Sequence, residues 1–381
     1  MNKKIVIGIP SYNEEDTIGY VVRQIDLGIK RFFPSAKCLI INIDSDSTDN
    51  TKEAFLSTQT FSPKKYLNAG KNPRGKGKNL IKLFKYCNDL DVDYIALFDS
   101  DIKTVKPSWV FSLLNPLITE KFDYTVPVYS RGCYDGNVTN NFAYPLTFAL
   151  FGVDLQQPIG GEFGLNKRFY KYLLKQTMNK AELGFGIDIF MTYHAIGGGF
   201  KIREVYLGEK KHKPGFSTLM YKFLQFSQSA LKVSRIYKGE SNKVKPIKKY
   251  KNIQIFKTKK QPDKKLVAVQ LKKFTQEFKN NLLEYNKYLG KELTDKIAKV
   301  IMNKKPVISS YLWVDVLARF LNACYNKKFN VRLIPKICSL IAPIFYWRVI
   351  SFWGEMKYLS SIEIDEKIRN QAKLLRRKLI A

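Results

Sequence analysis

Cysteine is scarce and never closely paired. Cys38, Cys87, Cys133, Cys324 and Cys338 are widely spaced and odd in number. With no Cys-x-x-Cys pair, a zinc ribbon or a dithiol redox centre is excluded, and a reducing, cytoplasmic setting is expected. Histidine is rarer still, at two residues. A lone histidine is more often structural than a ligand, and His194, inside an apolar helical stretch, takes that reading. Acidic residues are outnumbered, 33 Asp+Glu against 65 Lys+Arg, for a formal net charge of +32. Such a balance favours polyanionic partners: nucleic acid, an acidic membrane surface or phosphorylated small molecules. Lys exceeds Arg about four to one, a general lysine bias rather than an interface of bidentate forks. One uncharged run, 337–347, is bracketed by Lys336 and Arg348 and interrupted by Pro343, and its eleven residues are too few to span a bilayer. The chain enters the strand Ile5-Val6-Ile7-Gly8-Ile9 at once, so no cleavable leader is expected.

What is present is enough for a large core: 45% of the 381 residues are hydrophobic and 14% aromatic, which suits two domains. The first half alternates strand-like and helix-like segments. Ile5–Pro10 leads to a helix opened near Glu14-Glu15-Asp16, and Cys38–Ile43 leads to one capped by Ser47 or Thr48. A helix beginning near Asn79 runs into the strand Tyr94–Phe98, and another starts at Pro107. Alternation of this kind predicts an α/β fold, a mostly parallel, Rossmann-like sheet wrapped by helices. Over 241–263 lysines crowd among prolines and apolar periodicity fades, which marks a basic connector. From Lys264 the apolar residues recur at helical spacing through Leu266, Phe274, Phe278, Leu282 and Tyr285. We therefore expect a catalytic domain over 1–240 and a helical C-terminal domain over 264–381. The aromatic stripe Tyr311, Trp313, Phe320, Phe345, Tyr346, Trp347, Phe352 and Trp353 reads as core or subunit interface.

Asp99-Ser100-Asp101 closes the apolar run 94–98. Strand ends form the ligand crevice of an open α/β sheet, and hard-oxygen ligands there suit Mg²⁺ or Mn²⁺ carrying a diphosphate. A solvated turn would have the same sequence. Pro10-Ser11-Tyr12-Asn13-Glu14-Glu15 follows the first strand with an aromatic face and a carboxylate for a base and ribose, though it would also serve as a helix-capping turn. Asp44-Ser45-Asp46-Ser47-Thr48-Asp49 ends the second strand with polar side chains that would cap a helix in any case. Gly75-Lys76-Gly77 precedes the third helix, where glycines beside lysines make either a phosphate cradle or a flexible loop. Gln157-Pro158-Ile159-Gly160-Gly161-Glu162 combines turn formers with a carboxylate.

Taken in order, these motifs resemble the nucleotide-sugar glycosyltransferases of the GT-A fold. Arg131, Asp135-Gly136-Asn137-Val138-Thr139, the 157–162 motif, Gly184-Phe185-Gly186-Ile187-Asp188 and Leu207-Gly208 through His212 narrow the resemblance to the mannosylglycerate and glucosyl-3-phosphoglycerate synthases. It covers residues 1 to 215. The resemblance implies that Pro10, Ser11, Tyr12, Glu14, Ser45, Lys76, Asp99, Ser100 and Glu162 bind the donor, UDP-glucose or GDP-mannose. Asp101 and His212 would ligate the Mg²⁺ or Mn²⁺. Asp188, Asp101 and Lys76 are the expected catalytic groups. Arg131, Gly136, Asn137 and Thr139 would take the acceptor, glycerate or 3-phosphoglycerate, with retention of anomeric configuration and a compatible solute as product. Enzymes using 3-phosphoglycerate are expected to carry Arg where this chain has Asn137, which favours plain glycerate; the Pro-x-x-Asn-Glu-Glu opening favours the phosphoglycerate enzyme. A homodimer is expected.

Three other readings compete. A nucleic-acid-binding protein would explain the charge, but the basic run offers chiefly Tyr250 and Phe256 as interleaved aromatics, so no nucleic-acid partner is expected. A membrane-associated family-2-like glycosyltransferase, acting on a polysaccharide or lipid-linked acceptor, would use the basic connector and apolar C-terminus for peripheral membrane contact. A sugar-1-phosphate nucleotidyltransferase would instead carry a glycine-rich signature at Pro10–Asn13.

Overall fold

Ile5, Ile7 and Ile9 alternate onto one face of the first strand and are shielded from solvent, as period-two patterning requires. The computed structural model describes residues 3–71, 74–130, 134–212, 217–237, 247–250, 263–302 and 307–380. Its sheet has seven strands: β1 (Lys4–Ser11), β2 (Lys37–Asp44), β3 (Lys64–Asn68), β4 (Tyr94–Leu97), β5 (Tyr124–Ser130), β6 (Phe163–Asn166) and β7 (Ile202–Glu209). Their order is β3-β2-β1-β4-β6-β5-β7. Only β6 runs against the rest, pairing antiparallel with β4 and β5. The carboxyl ends of β1, β2, β4, β5 and β7 therefore share one edge with the start of β6, where Leu97 faces Phe163. Helices α1 (Ile18–Phe32) and α4 (Pro107–Ile118) bury Val21, Val22, Ile25, Val110, Leu113 and Leu114 with the β1 isoleucines in one core.

Several boundaries differ from the sequence reading. Glu14, Glu15 and Asp16 lie before α1, whose first turn holds no acid. Helix α2 (Thr51–Ser57) starts beyond Ser47 and Thr48. Those two residues are engaged elsewhere: Ser47 donates its hydroxyl to Asp44 Oδ1 at 2.6 Å and accepts from the Asn13 N–H at 2.8 Å, while the Thr48 N–H donates to Asn13 Oδ1 at 2.9 Å. They lock the loops after β1 and β2 together instead of capping a helix. Helix α3 (Lys76–Asp89) begins three residues before Asn79, at the lysine itself.

The chain divides into two compact units, Met1–Ser130 with Leu155–Pro214 and Glu240–Asn252, and Arg131–Asp154 with Gly215–Gly239 and Ile253–Ala381. This departs from the boundary expected at 240. Of the basic connector, only 247–250 and Asp263 are described; Lys248 pairs beside β7, accepting from the Glu204 N–H at 2.9 Å. In the second unit a short helix at Tyr144–Phe151 packs against the C-terminal helix Ser361–Ile380, with Arg369 ion-paired to Asp154 and Arg376 donating to the Phe148 carbonyl at 3.1 Å. The helix Ile334–Met356 runs through Pro343 and past Arg348. Burial of Arg348 is met by Glu355 at 2.6 Å and the Ile308 carbonyl at 3.0 Å, so the charge does not end the helix. By length and composition Val331–Met356 could cross a membrane, but 72% of its apolar window is buried within the protein, as in a core helix. Of the aromatic stripe, only Tyr311 is exposed.

Gly77 is where α3 meets the backbone of the short helix Lys180–Leu183. A Cβ there would lie 1.8 Å from the Glu182 carbonyl oxygen. Gly77→Ala is expected to cost about 1–3 kcal/mol through overpacking, read as a lowered thermal midpoint; an unchanged midpoint would contradict this close approach.

Candidate active site

Five charged side chains of the first unit meet at the shared carboxyl edge, and the topology explains each. Asp99 follows β4, Lys210 follows β7, Glu162 immediately precedes the antiparallel β6, Lys76 opens α3, and Asp188 lies in the first turn of the helix Ile187–Gly197. Lys76 Nζ sits 2.7 Å from Asp99 Oδ1 and 3.1 Å from Asp188 Oδ1, and it donates to the Gly161 carbonyl at 3.3 Å. Lys210 Nζ lies 3.1 Å from Asp99 Oδ2 and 2.7 Å from Glu162 Oε2, and it donates to the Gly160 carbonyl at 3.0 Å. Glu162 also accepts from the Tyr129 hydroxyl and from the Asp99 N–H. Gly161, at φ +97°, lets the backbone pass: a Cβ there would be 2.3 Å from Asp99 Oδ2 and 2.7 Å from Lys210 Nζ.

Burial sets the electrostatics. It opposes ionisation of Asp99, but the Lys76 and Lys210 ammonium groups outweigh it and hold this carboxyl well below the usual carboxylate range. Burial likewise works against the Lys76 charge, and Asp188 and Asp99 outweigh it, raising the ammonium above its ordinary value. Glu162 goes the other way. Its burial pushes it up to about 7, only partly offset by Lys210 and reinforced by the Asp99 charge. Asp188 is also raised, by burial first.

The loops after β1 and β2 form the rim. Asp44 accepts from the Ser11 hydroxyl at 2.7 Å, the Ser47 N–H at 2.7 Å and the Tyr66 hydroxyl at 3.1 Å. Ser45 donates to Asn79 Oδ1 at 2.9 Å, Ser100 donates to the Pro10 carbonyl at 2.9 Å, and Glu14 accepts from the Thr17 hydroxyl at 3.2 Å. Pro10, Ser11, Ser45 and Ser100 thus hold the crevice wall together. Tyr12 is 40% exposed, and the Arg74 guanidinium lies over its ring, 4.3 Å from the centroid. The Gly-Lys-Gly turn is not an open backbone cradle, since the Gly77 N–H donates to the Gly184 carbonyl at 3.0 Å.

Asp101 and His212 come onto the same rim. The backbones two and one residues away join, the Lys103 N–H donating to the Lys211 carbonyl at 2.8 Å, and Thr104 bonds both the Glu209 carbonyl and the Lys211 N–H. Asp101 is half-buried and its carboxylate has no hydrogen-bond or ion-pair partner among the described residues. No group of three or more His, Cys, Asp or Glu side chains suited to a metal occurs among the described residues. If Asp101 and His212 served a metal, the protein's donor set would be one carboxylate and one imidazole. Such a pair fits a hard cation whose remaining sites are filled by water and substrate phosphates.

Of the expected acceptor residues, Arg131 lies outside the described residues. Gly136, Asn137 and Thr139 belong to the second unit. There the Asn137 amide is already engaged, donating to the Tyr134 carbonyl at 3.0 Å and accepting from Trp353 Nε1 at 2.8 Å, and Thr139 is buried. His194 is buried edge-on to Phe190, ring centroids 4.3 Å apart, in keeping with a structural role. The sequence reading missed Lys210 and Tyr129. Lys210 lay inside a quoted motif, but one lysine among so many carries no signal of its own.

Glu162 gives a pH test. Because the folded chain binds its proton more tightly than the unfolded chain, stability falls as pH rises from 4.5 to about 7 and levels off above. Asp99 acts oppositely: its contribution is present above the ordinary value of 3.8 and is lost only in strong acid. Glu162→Gln should therefore flatten the change of thermal midpoint between about pH 5 and pH 7, measured beside the unsubstituted protein; an unaltered slope would contradict the assignment.

Residues 6–185 match the model for glycosyl transferase family 2. The chain is 28% identical over 204 residues to a glucosyl-3-phosphoglycerate synthase of Petrotoga mobilis, covering 49% of this chain and 58% of that one. It is 28% identical over 224 residues to the enzyme of that name from Mycolicibacterium smegmatis, covering 55% and 71%. The chain thus spans little more than half the length of the first of these relatives. A glucosyl-3-phosphoglycerate synthase from Mycobacterium tuberculosis, solved with Mn²⁺, UDP and glucosyl-3-phosphoglycerate, superposes with a TM-score of 0.50 at 23% identity, over 61% of this chain and 80% of that one. A second mycobacterial protein gives 0.51 at 26%, over 61% and 75%. The sheet order, the acidic turn after β4 and the match of residues 6–185 to the glycosyl transferase family 2 model agree on a GT-A-like fold, joined to a helical C-terminal region.

Proposed function

We propose that this chain transfers a hexose, glucose or mannose, from a nucleoside diphosphate to glycerate or 3-phosphoglycerate with retention of anomeric configuration. The observation that carries the reading is the convergence of Lys76, Lys210, Asp99, Asp188 and Glu162 at the sheet edge, two residues from Asp101, whose carboxylate has no partner among the described residues. The names of the relatives support the substrate class. Asp101 and His212 would hold Mg²⁺ or Mn²⁺ together with the donor's phosphates. When bound, that ion neutralises charge on the departing diphosphate.

The chain's own residues do the rest. Breaking the bond from the anomeric carbon to the diphosphate builds negative charge on the leaving oxygens, and Lys76 is an ammonium already fixed before reaction. A unit-charge pair about 4 Å apart is worth about 4 kcal/mol at an effective dielectric near 20, close to three powers of ten in rate. Glu162 and Tyr129 hold Lys210, and Lys210 with Lys76 holds Asp99, so the wall against the sugar is rigid. Asp188 orients donor or acceptor hydroxyls. The acceptor's proton passes to the leaving phosphate. Because Asn137 carries no charge and its amide is engaged within its own unit, phosphate on the acceptor needs a cation from elsewhere, and both acceptors belong in the test.

A matrix of UDP-glucose and GDP-mannose against D-glycerate and 3-phosphoglycerate, with Mg²⁺ or Mn²⁺, should give a glycosylated product and free nucleotide in at least one cell. Asp101→Ala and His212→Ala should each lower turnover at least about a hundredfold with the thermal midpoint retained. Nuclear magnetic resonance of the first-formed product should show an α linkage. A β product from an α donor would overturn retention, and full activity in both variants would overturn the metal site.

A further inference from the structure

We propose that the exposed face of the helix Lys264–Asn280 docks this chain onto an anionic membrane surface, through a row of lysines flanked by bare aliphatic side chains. This face belongs to the second unit, and its role is independent of the transfer reaction.

The helix is held from one side. Phe274 and Phe278 are buried, with ring centroids 4.9 Å from Tyr346 and 4.4 Å from Tyr285, respectively. The opposite stripe follows the i, i+4, i+7 spacing of a single helix face, and its Lys265, Val269, Lys272, Gln276 and Lys279 are all exposed. Lysine therefore recurs every seventh residue, over about 21 Å of helix. Among the described residues, none of these three lysines has an ion-pair partner. Glu277 is the one acid within the helix; it stands off the stripe, 3.8 Å from Lys273. Val269 is 65% exposed, and Leu283, three residues past the end of the helix, is 85% exposed. A neighbouring helix of the same unit, Lys291–Ile301, instead mixes its signs: Lys291, Lys296 and Lys299 are exposed among exposed Glu292 and Asp295.

A helix face that only meets water gains nothing from a single sign, since acids four residues from these lysines would add stability. An acidic bilayer surface does reward it. Lipid phosphates form a fluid sheet without fixed geometry, so point-like ammonium groups on long stems meet them without the fork that a guanidinium supplies. Val269 and Leu283 add the apolar share that lets a helix settle into the interface. Nucleic acid is the rival polyanion. Its recognition draws on arginine and on aromatic rings that stack with bases, and this stripe carries neither.

Co-sedimentation of the full chain with vesicles at about 0.15 M salt tests this. The protein should pellet with vesicles of mixed phosphatidylglycerol and phosphatidylcholine and stay in the supernatant with phosphatidylcholine alone. Lys265→Gln, Lys272→Gln and Lys279→Gln together should lower the partition coefficient about a hundredfold, roughly fivefold per lysine, with the thermal midpoint unchanged. Leu283→Ser should lower it about tenfold. Lys291→Gln, Lys296→Gln and Lys299→Gln together remove the same net charge from the neighbouring helix and should cost no more than about threefold. No pelleting with the anionic vesicles, or equal losses in the two triple variants, would overturn the proposal. Retention by a DNA duplex in place of the vesicles, lost in the first triple variant, would assign the row to nucleic acid and overturn it as well.

Discussion

Lys76, placed between Asp99 and Asp188, is the contact on which the rest of the crevice depends. Gathering five ionisable groups with four of the side chains buried and Asp99 partly so is tolerable only if each finds partners, since a single unpaired buried charge costs several kcal/mol. That requirement fixes neighbouring features. Gly161 must be glycine because the chain passes within a side-chain radius of Asp99 and Lys210. Glu162 must lie at the edge and not in the sheet, which the reversed direction of β6 achieves by starting where its neighbours end. Glycine at Gly77 allows α3 to begin against the Glu182 backbone, and that contact aims Lys76 inward.

The same network divides the carboxylates into two kinds. Asp99, touched by both ammonium groups, stays ionised, whereas Glu162, sealed beneath it, is pushed up to about 7. Asp101, two residues along the chain, escapes the network and faces the rim without a protein partner among the described residues. One acidic turn thus supplies a structural anion and an uncommitted one. In the proposed reading, Asp101 is the carboxylate left for the cation.

Much of this was legible in the sequence because strand ends announce themselves. Asp99 and Asp101 follow a continuous apolar run, and Pro10 to Glu14 follow another, so their shared edge could be read from alternation alone. Lys210 could not be read so, because lysine is the commonest charge in this chain. Strand β6 escaped notice since its four residues, with a glycine among them, carry no usable period. The placement of 131–154 with the C-terminal helices is set by long-range packing, such as Trp353 on Asn137 and Arg369 on Asp154, which no local pattern encodes. Nor could sequence show that the Asn137 amide is taken up internally. A charge bracket likewise misled: Arg348 seemed to end the apolar run, yet Glu355 neutralises it inside a continuous helix.

The most direct measurement is the turnover of Lys76→Met with saturating donor and acceptor, beside its thermal midpoint. If a pre-positioned ammonium stabilises the leaving diphosphate, kcat falls by at least about a hundredfold while the protein remains folded and still binds the donor. A folded variant with kcat near that of the unsubstituted protein would contradict the account.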